Sequence, residues 1–260
     1  MSYIKKILWS AAVLFFAGCA VAKVYADGVK TSKTKLPTAE VLFEKHLEAI
    51  GGKTLIASKS SKTLKGSLTI ASMGVSGELN VVASAPDKIV TNVKLVQLNT
   101  TSNEGYNGTT AWKLDPMAGN KILEGNDLEA VKKKSDFYAD SLNLGKDLAK
   151  QETVDLVKID GEEQYKVLRV NKNGEENFLY FSKTTGLLIG KESIESTAYG
   201  KLPTVLKIKA YNQYEGLKIA NHLVVMQGGV ETVIKFDSVS FNDVPESAFA
   251  IPKEIQPLLK

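Results

Sequence analysis

Hydrophobic and polar residues alternate with a period of two over most of the chain, as is typical of strands with one buried and one solvated face. The pattern predicts strands over residues 63–70, 78–83 and 89–95, and a further strand over 109–114 with Trp112 at its centre. A longer series of β-branched and aromatic runs extends from Glu152 to Asn242. We therefore predict a mainly β fold.

The runs between Glu152 and Asn242 are separated by turn motifs that need a positive φ angle, which glycine adopts freely and Asn or Asp adopt at a smaller cost. Hairpin spacing favours an antiparallel meander, and only the interval from Glu192 to Leu202 is long enough for a crossover. In the last run the alternation changes phase, which predicts a β-bulge near Ser238. The turn motifs are Asp160-Gly161, Asn173-Gly174, Thr185-Gly186, Glu215-Gly216 and Gly228-Gly229.

Two segments have helical periodicity instead. The first is predicted to begin after an N-cap at Thr38, to bury Phe43, Leu47 and Ile50 at helical spacing, and to end at Gly51-Gly52.

The second helix is predicted to begin at Asn126 and to end at Gly145, because Glu129 completes a capping-box pattern with Asn126. The apolar positions Leu128, Val131, Tyr138 and Leu142 follow at helical spacing. The lysines at 132–134 would form a solvated face or, as a second possibility, touch a membrane.

Residues 1–26 are typical of an export signal, with a short basic start and an apolar run too short to be a spanning helix. Two processing outcomes stay open. Cleavage after Ala26 would release a soluble chain beginning at Asp27, whereas the lipobox-like sequence before Cys19 would leave residues 1–18 as the signal and Cys19 as a lipidated N-terminus. Cys19 is the only cysteine, so neither mature form has a free thiol or a disulfide.

Residues 27–37 are polar and rich in lysine, which indicates a flexible tether, and residues 38–260 contain no internal linker and are expected to form one domain. The chain of 260 residues carries 33 Lys plus Arg against 29 Asp plus Glu. Part of that excess lies in the leader and tether, and Arg169 is the single arginine. Because nucleic-acid recognition normally uses several guanidinium groups, we expect no nucleic-acid partner.

The sequence lacks the usual catalytic patterns, including the nucleophile elbow, the P-loop and the dinucleotide fingerprint. His46 and His222 stand alone, so we expect neither a metal site nor a cofactor. Acidic residues are numerous but scattered. A non-enzymatic protein is expected, and an enzyme would require carboxylates gathered from separate strands.

Arg169 has two interpretations. If Leu168 and Val170 lie on the apolar face of their strand, Arg169 shares the other face with Tyr165 and Val167 and would need an anionic partner, such as a ligand head group. Alternatively, it lies in water at the rim of the sheet.

The order of these parts resembles that of the LolA/LolB-like family of outer-membrane lipoprotein-sorting proteins. The features that carry the resemblance are the export signal, the helix ending at Gly51-Gly52, the Gly105-Tyr106-Asn107-Gly108 turn before the Trp112 strand, the hairpin meander and the closing segment Pro245–Pro252. The resemblance implies an incomplete antiparallel β-barrel of about eleven strands wrapped around helices, with an apolar cavity that holds acyl chains. It also implies an arginine on an early strand, where this chain has Lys65, Lys88 and Lys94.

Inward-facing apolar residues give a candidate cavity lining. The resemblance implies a carrier of lipid or acylated lipoprotein. We expect a monomer in the periplasm or at the outer membrane of a Gram-negative-type bacterium, in contact with the membrane peripherally or through a lipidated Cys19. The alternative is an envelope interaction or stress-sensor module with a filled core. The predicted lining residues are Leu68, Ile70, Leu79, Val81, Val93, Leu95, Trp112, Tyr138, Leu206, Ile208 and Phe236.

Overall fold

A computed structural model describes residues 35–97, 99–197 and 200–259. The predictions for the leader, including Cys19, and for most of the tether lie outside these residues. Three α-helices are described: α1 (Ala39–Ala49), α2 (Lys53–Ala57) and α3 (Gly125–Ser135). Short 3-10 helices occur at Ala71–Met73, Glu246–Phe249 and Gln256–Leu258.

The strands form one antiparallel sheet, and their order follows the chain except where β1 pairs with β13. The sheet runs from edge strand β6 through β5, β4, β3, β2, β1, β13, β12, β11, β10, β9 and β8 to edge strand β7. The thirteen strands among the described residues are β1 (Ser61–Ile70), β2 (Val75–Ser84), β3 (Lys88–Leu95), β4 (Thr100–Tyr106), β5 (Ala111–Leu114), β6 (Lys121–Ile122), β7 (Leu148–Ile159), β8 (Glu162–Asn171), β9 (Glu176–Ser182), β10 (Leu188–Thr197), β11 (Gly200–Tyr214), β12 (Leu217–Gln227) and β13 (Val230–Phe241).

The mainly β, antiparallel architecture is confirmed, and the expected number of about eleven strands is corrected to thirteen. The two-residue β6 is too short to leave a period of two in the sequence. The interval from Glu192 to Leu202 contains no crossover, because β10 pairs directly with β11 in an antiparallel register.

Cross-strand register divides the sheet into an inner face, which packs against α1 and α3, and an outer face. Directly opposed residues share a face, so Leu64, Val81 and Thr91 lie in one inner row. We call the end of the sheet with the turns at 71–74, 172–175 and 228–229 the upper end. The lower end is where Leu217 and Phe241 pack against α1 and α2.

Helix α1 follows its sequence prediction. Its N-cap is Thr38, whose side chain accepts a hydrogen bond from the Val41 amide at 3.5 Å. Leu42 and Phe43 pack on Val167 and Phe181 of the inner face, and such burial stabilises a helix more than its own propensity does.

Helix α3 is shorter than predicted, and the predicted capping box at Asn126 is wrong. The helix starts at Gly125 after Glu124, without a side-chain cap, and ends at Ser135. Asp136 leaves the helical conformation, and its carboxylate accepts hydrogen bonds from the Tyr138 amide and from Asn143. Residues 136–147 therefore form turns that link α3 to edge strand β7.

The predicted bulge in the last strand is confirmed. Lys65 is opposite Ser238 whereas Gly66 is opposite Phe236, so β13 contains one extra residue at Asp237. A Cβ atom on Gly66 would lie 1.9 Å from the Lys235 carbonyl oxygen, so the close approach of the two strands requires glycine here. The bulge returns Phe236 to the inner face, in register with Gly66 and Leu79.

Candidate functional site

The inner face at the upper end is apolar on strands β1–β3 and β13. This surface, which we call the apolar half, holds seven of the predicted lining residues in one cluster, and Ile70 is fully buried within it. Val81, Ile234 and Phe236 are only half-buried, so they keep exposed apolar area. The apolar half consists of Leu68, Ile70, Leu79, Val81, Val93, Leu95, Ile234 and Phe236.

The cluster that contains the apolar half includes no residue of α1, α2 or α3 among the described residues. Its remaining members are Met73, Val75 and Val230, which flank the hairpin turns. Helix α1 instead packs against β8, β9 and β10, and further down on Leu217 and Phe241. The apolar half is thus an apolar wall against which no described α-helix packs.

The other predicted lining residues are distributed elsewhere. Tyr138 packs in the lower-end cluster and donates its hydroxyl to the Lys59 carbonyl at 2.8 Å. Ile208 packs against the α1 cluster, and half-buried Leu206 is opposite Val225 on the inner face. These three residues are therefore not part of the apolar half.

Trp112 lies on the outer face. It is opposite Gly105, whose missing side chain leaves room for the indole: a Cβ atom there would approach the ring to 2.3 Å. Phe249 and Ile255 of the C-terminal segment cover it, and its Nε1 donates to Asn103 at 2.7 Å. The structure separates Trp112 from the inner-face residues with which it was grouped.

Strands β7–β10 present polar side chains at the upper end of the inner face, in a surface that we call the polar half. Strands β11 and β12 separate it from the apolar half. Register places Arg169 directly opposite Gln151 on β7 and Asn177 on β9, and Asn177 opposite Ser193 on β10. The polar half consists of Gln151, Thr153, Arg169, Asn177, Ser193 and Glu195.

Arg169 shares the inner face with Tyr165 and Val167, as predicted. It is half-buried and makes no ion pair with any described residue, and its Nε is buried without a hydrogen-bond partner. Burial lowers the pKa of Arg169, and the carboxylate of Asp140 partly opposes this effect. Buried guanidinium groups normally pair with carboxylates, so this environment is unusual.

Three further atoms of the polar half are buried without a partner: Gln151 Oε1, Thr153 Oγ1 and Asn177 Oδ1. Buried polar atoms are satisfied in the large majority of cases, so a group of four on neighbouring strands is notable. None of these neighbours of Arg169 was identified from the sequence.

The carboxylate of Glu195 is already paired. Lys133 of α3 lies 3.7 Å from it, and Lys191 also lies 3.7 Å from it. Burial raises the pKa of Glu195, but the two lysines and the Ser193 hydroxyl outweigh burial and hold the pKa below its usual range. Glu195 therefore remains charged and does not neutralise Arg169.

The lysines of α3 form ion pairs with residues from both ends of the strand order. Lys133 also lies 3.9 Å from Glu175, and Lys134 lies 3.2 Å from Glu104 on β4. Lys65 and Lys94, early-strand lysines, are exposed, and Lys88 pairs with Glu246 on the C-terminal segment. The inner-face lysine of β1 is Lys62, whose Nζ lies 4.7 Å from the Phe137 ring centroid and whose pKa burial lowers.

His46 fastens α1 to the neighbouring chain segments. Its Nδ1 accepts a hydrogen bond from the Leu188 amide at 3.1 Å, so its Nε2 carries the proton and donates to the Asp140 carbonyl at 3.3 Å. Burial lowers the pKa of His46 to about 4. This residue is a structural histidine, and His222 lies half-buried on β12.

Two cavities occur away from the apolar half. One, of about 300 Å³, lies over β8–β11 and is lined by residues that include Gln164, Tyr180 and Gly190. The other, of about 70 Å³, lies at the lower end beside Ile56, Leu217 and Phe241. Neither is lined by residues of the apolar half.

Within the described ranges, no helix combines the length and apolar character needed to cross a membrane. The same residues contain no group of three or more His, Cys, Asp or Glu side chains that could hold a metal ion.

No protein-family model matches the sequence. No curated protein matches it either. Solved structures do match the fold. A LolA superfamily protein from Nitrosomonas europaea is 12% identical with a TM-score of 0.56, and the match covers 83% of this chain and 99% of that one.

Two further solved structures are similar over most of their length. A DUF1329 family protein from Desulfovibrio piger is 11% identical with a TM-score of 0.57, covering 81% of this chain and 96% of that chain. A domain assigned to outer membrane lipoprotein sorting from Vibrio parahaemolyticus is 14% identical with a TM-score of 0.51, covering 79% and 96%. The chain has the LolA-like fold, an incomplete antiparallel β-barrel, as the resemblance in its sequence implied.

Proposed function

We propose that this protein is a non-enzymatic carrier in the bacterial envelope, which binds an acyl chain of a lipid or a lipoprotein along the apolar half. The observation that supports the proposal is the apolar wall itself, whose cluster includes no described α-helical residue while Val81, Ile234 and Phe236 remain half-buried. An exposed apolar surface of this kind is typical of a binding site.

Burial of the acyl chain would supply the affinity. Each methylene removed from water contributes about 0.8 kcal/mol, so eight methylenes would contribute roughly 6 kcal/mol before the cost of immobilising the ligand. Arg169 in the polar half would contact an anionic head group.

The export signal supports a location in the periplasm or at the outer membrane, with Cys19 as the lipid anchor in the second case. One solved structure of the same fold is named for outer membrane lipoprotein sorting, which supports the same compartment and a role in sorting. We propose a monomer that touches the membrane peripherally or through that anchor.

The test is lipid extraction followed by mass spectrometry, on protein expressed from Asp27 with a host export signal and purified without detergent. Val81→Glu introduces a charge on the inner face, and Val82→Glu introduces the same charge on the next residue, which faces outward and packs near Val90. Both valines are half-buried, so the pair is matched for exposure. Thermal unfolding of each variant shows that it is folded.

We expect stoichiometric phospholipid or fatty acid in the wild type and in folded Val82→Glu, and its loss in folded Val81→Glu. Wild-type protein that carries no lipid and takes up no fluorescent fatty acid would contradict the proposal. That result would instead favour the interaction or stress-sensor module.

A further inference from the structure

We propose that the polar half is a head-group subsite, selective for phospholipids that carry a hydrogen-bond donor beyond the phosphate. This inference rests on the proposed function, because it requires an acyl chain on the apolar half, from which β11 and β12 separate the polar half in the sheet. It goes further by naming the ligand class and the residues that select it.

The charged groups near the polar half leave Arg169 without an ion pair among the described residues. Glu195 and Glu175 both lie within 4 Å of Lys133, and Glu40 accepts a hydrogen bond from Gln151. The carboxylate of Asp140 influences the pKa of Arg169, but Arg169 forms no ion pair with it or with any other described residue. An anionic oxygen from a ligand would satisfy the buried Nε and accept further hydrogen bonds from the planar guanidinium. A phosphate or a carboxylate meets this requirement.

The unpaired atoms around Arg169 distinguish one phosphate-bearing head group from another. Two of the unpaired atoms around Arg169, Asn177 Oδ1 and Gln151 Oε1, are hydrogen-bond acceptors. The amide nitrogen of Gln151 already donates a hydrogen bond to Glu40 at 2.6 Å. The Thr153 hydroxyl can donate or accept. A ligand that satisfies this set needs an anionic oxygen for Arg169 and an O–H or N–H donor for the amide oxygens.

Common head groups differ in that second requirement. Phosphoethanolamine offers an ammonium and phosphoglycerol offers hydroxyls, whereas phosphocholine and a free fatty acid carboxylate offer no donor. A site with buried acceptors rejects a ligand that leaves them unpaired, because each unpaired group retains its desolvation cost.

The strand geometry supports a shared contact. Arg169 and Asn177 are directly opposed on antiparallel strands, where Cβ atoms lie about 5 Å apart. Despite this proximity, neither Arg169 Nε nor Asn177 Oδ1 has a hydrogen-bond partner. A head group between them would pair with both.

The experiment is displacement of a fluorescent fatty-acid methyl ester, an uncharged probe that needs only the apolar half. The competitors are short-chain diacyl phosphoethanolamine, phosphoglycerol and phosphocholine lipids with identical chains, each below its critical micelle concentration. Glycerophosphoethanolamine, the same head group without chains, shows whether a free phosphate ester is sufficient. The proteins are the wild type, Arg169→Gln and Asn177→Leu, each checked by thermal unfolding.

We expect the probe to bind all three proteins alike. In the wild type, the ethanolamine and glycerol lipids should displace it at concentrations about tenfold lower than the choline lipid, and the chain-free head group should not displace it. Arg169→Gln should weaken the binding of all three phospholipids about tenfold. Asn177→Leu should remove the preference over choline while the response to the phosphate remains.

Two results would overturn the inference in different ways. In the first, the probe binds, the three lipids displace it at the same concentration from the wild type, and Arg169→Gln leaves that concentration unchanged. The subsite is then absent, and acyl-chain binding stands. If the probe does not bind the wild type, the proposed function fails and the subsite fails with it. Displacement by the chain-free head group at the same concentrations would indicate a site for a soluble phosphate ester and would also overturn the inference.

Discussion

The apolar and polar halves of the inner face occupy the same level of one sheet but differ in how their side chains are satisfied. In the apolar half, Ile70 and its neighbours pack on one another, and Val81, Ile234 and Phe236 at the edge of the cluster stay half-buried. In the polar half, Arg169 and Asn177 lie side by side, and their buried Nε and Oδ1 atoms have no hydrogen-bond partner among the described residues. The difference shows that apolar packing satisfies the first surface, whereas the second keeps buried polar atoms that no described residue satisfies.

The largest expected effect follows from Ile70, which is fully buried at the upper end of β1. Ile70→Ala should lower the free energy of unfolding by roughly 4 kcal/mol, because it removes three methylene-sized groups and leaves a cavity. The measurement is urea denaturation. Ile194→Ala, the same change at a side chain that is 56% exposed on β10, should cost less than about 0.5 kcal/mol.

The burial of His46 between α1 and the inner face predicts a pH dependence of the free energy of unfolding. The pKa of His46 falls from 6.5 to about 4 in the folded protein, so the unfolded chain binds a proton first as the pH falls. Stability should therefore be fully present above pH 6.5 and should decrease by roughly 3 kcal/mol as the pH falls to 4.

The check is the urea midpoint at several pH values in this window, with His46→Gln and His222→Gln as a pair. The first variant should lose the slope and the second should keep it. An unchanged slope in His46→Gln would contradict the assignment. Carboxylates such as Glu195, whose pKa is lowered, contribute stability that is lost only below about pH 4.5.

Arg169 gives a smaller effect of opposite sign. Arg169→Met keeps the apolar stem and removes a buried group without a described ion-pair partner, so the free energy of unfolding should stay the same or rise by about 1 kcal/mol. A loss of several kcal/mol would mean that Arg169 has a structural partner and would weaken the distinction between the two halves.

The smallest effect is expected at Lys133, whose side chain is 55% exposed and lies 3.7 Å from Glu195. Lys133→Met should lower stability by a few tenths of a kcal/mol at most, and the difference should vanish in high salt. Lys132→Met, which removes a pair with Glu129 within α3 itself, is the control. A loss above about 1 kcal/mol would show that α3 depends on this contact.

Much of the fold was predictable because local rules determine it. The glycine turns, the Thr38 cap and the bulge near Ser238 each depend on a few consecutive residues. All three predictions are confirmed. The end of α3 was not predictable, because Asp136 forms a turn whose hydrogen bonds compete with the helix.

The site was predictable only in part. Alternation identified the apolar half but could not show which face the Trp112 strand turns inward, since that depends on cross-strand register with Gly105. The polar half left almost no signal, because Asn177 and Gln151 in a strand look like ordinary solvated residues until pairing places them beside Arg169. Arg169 was found only because it is the single arginine.

The most direct test of the central claim is photo-crosslinking in cells, with p-benzoylphenylalanine replacing Phe236 on the apolar half or Phe178 on the outer face of β9. Both phenylalanines are half-buried, so the comparison isolates the face of the sheet. The account predicts a covalent lipid adduct, seen by intact-protein mass spectrometry, at position 236 and not at 178. Adducts of equal yield at both positions, or none at 236 in folded protein, would contradict it.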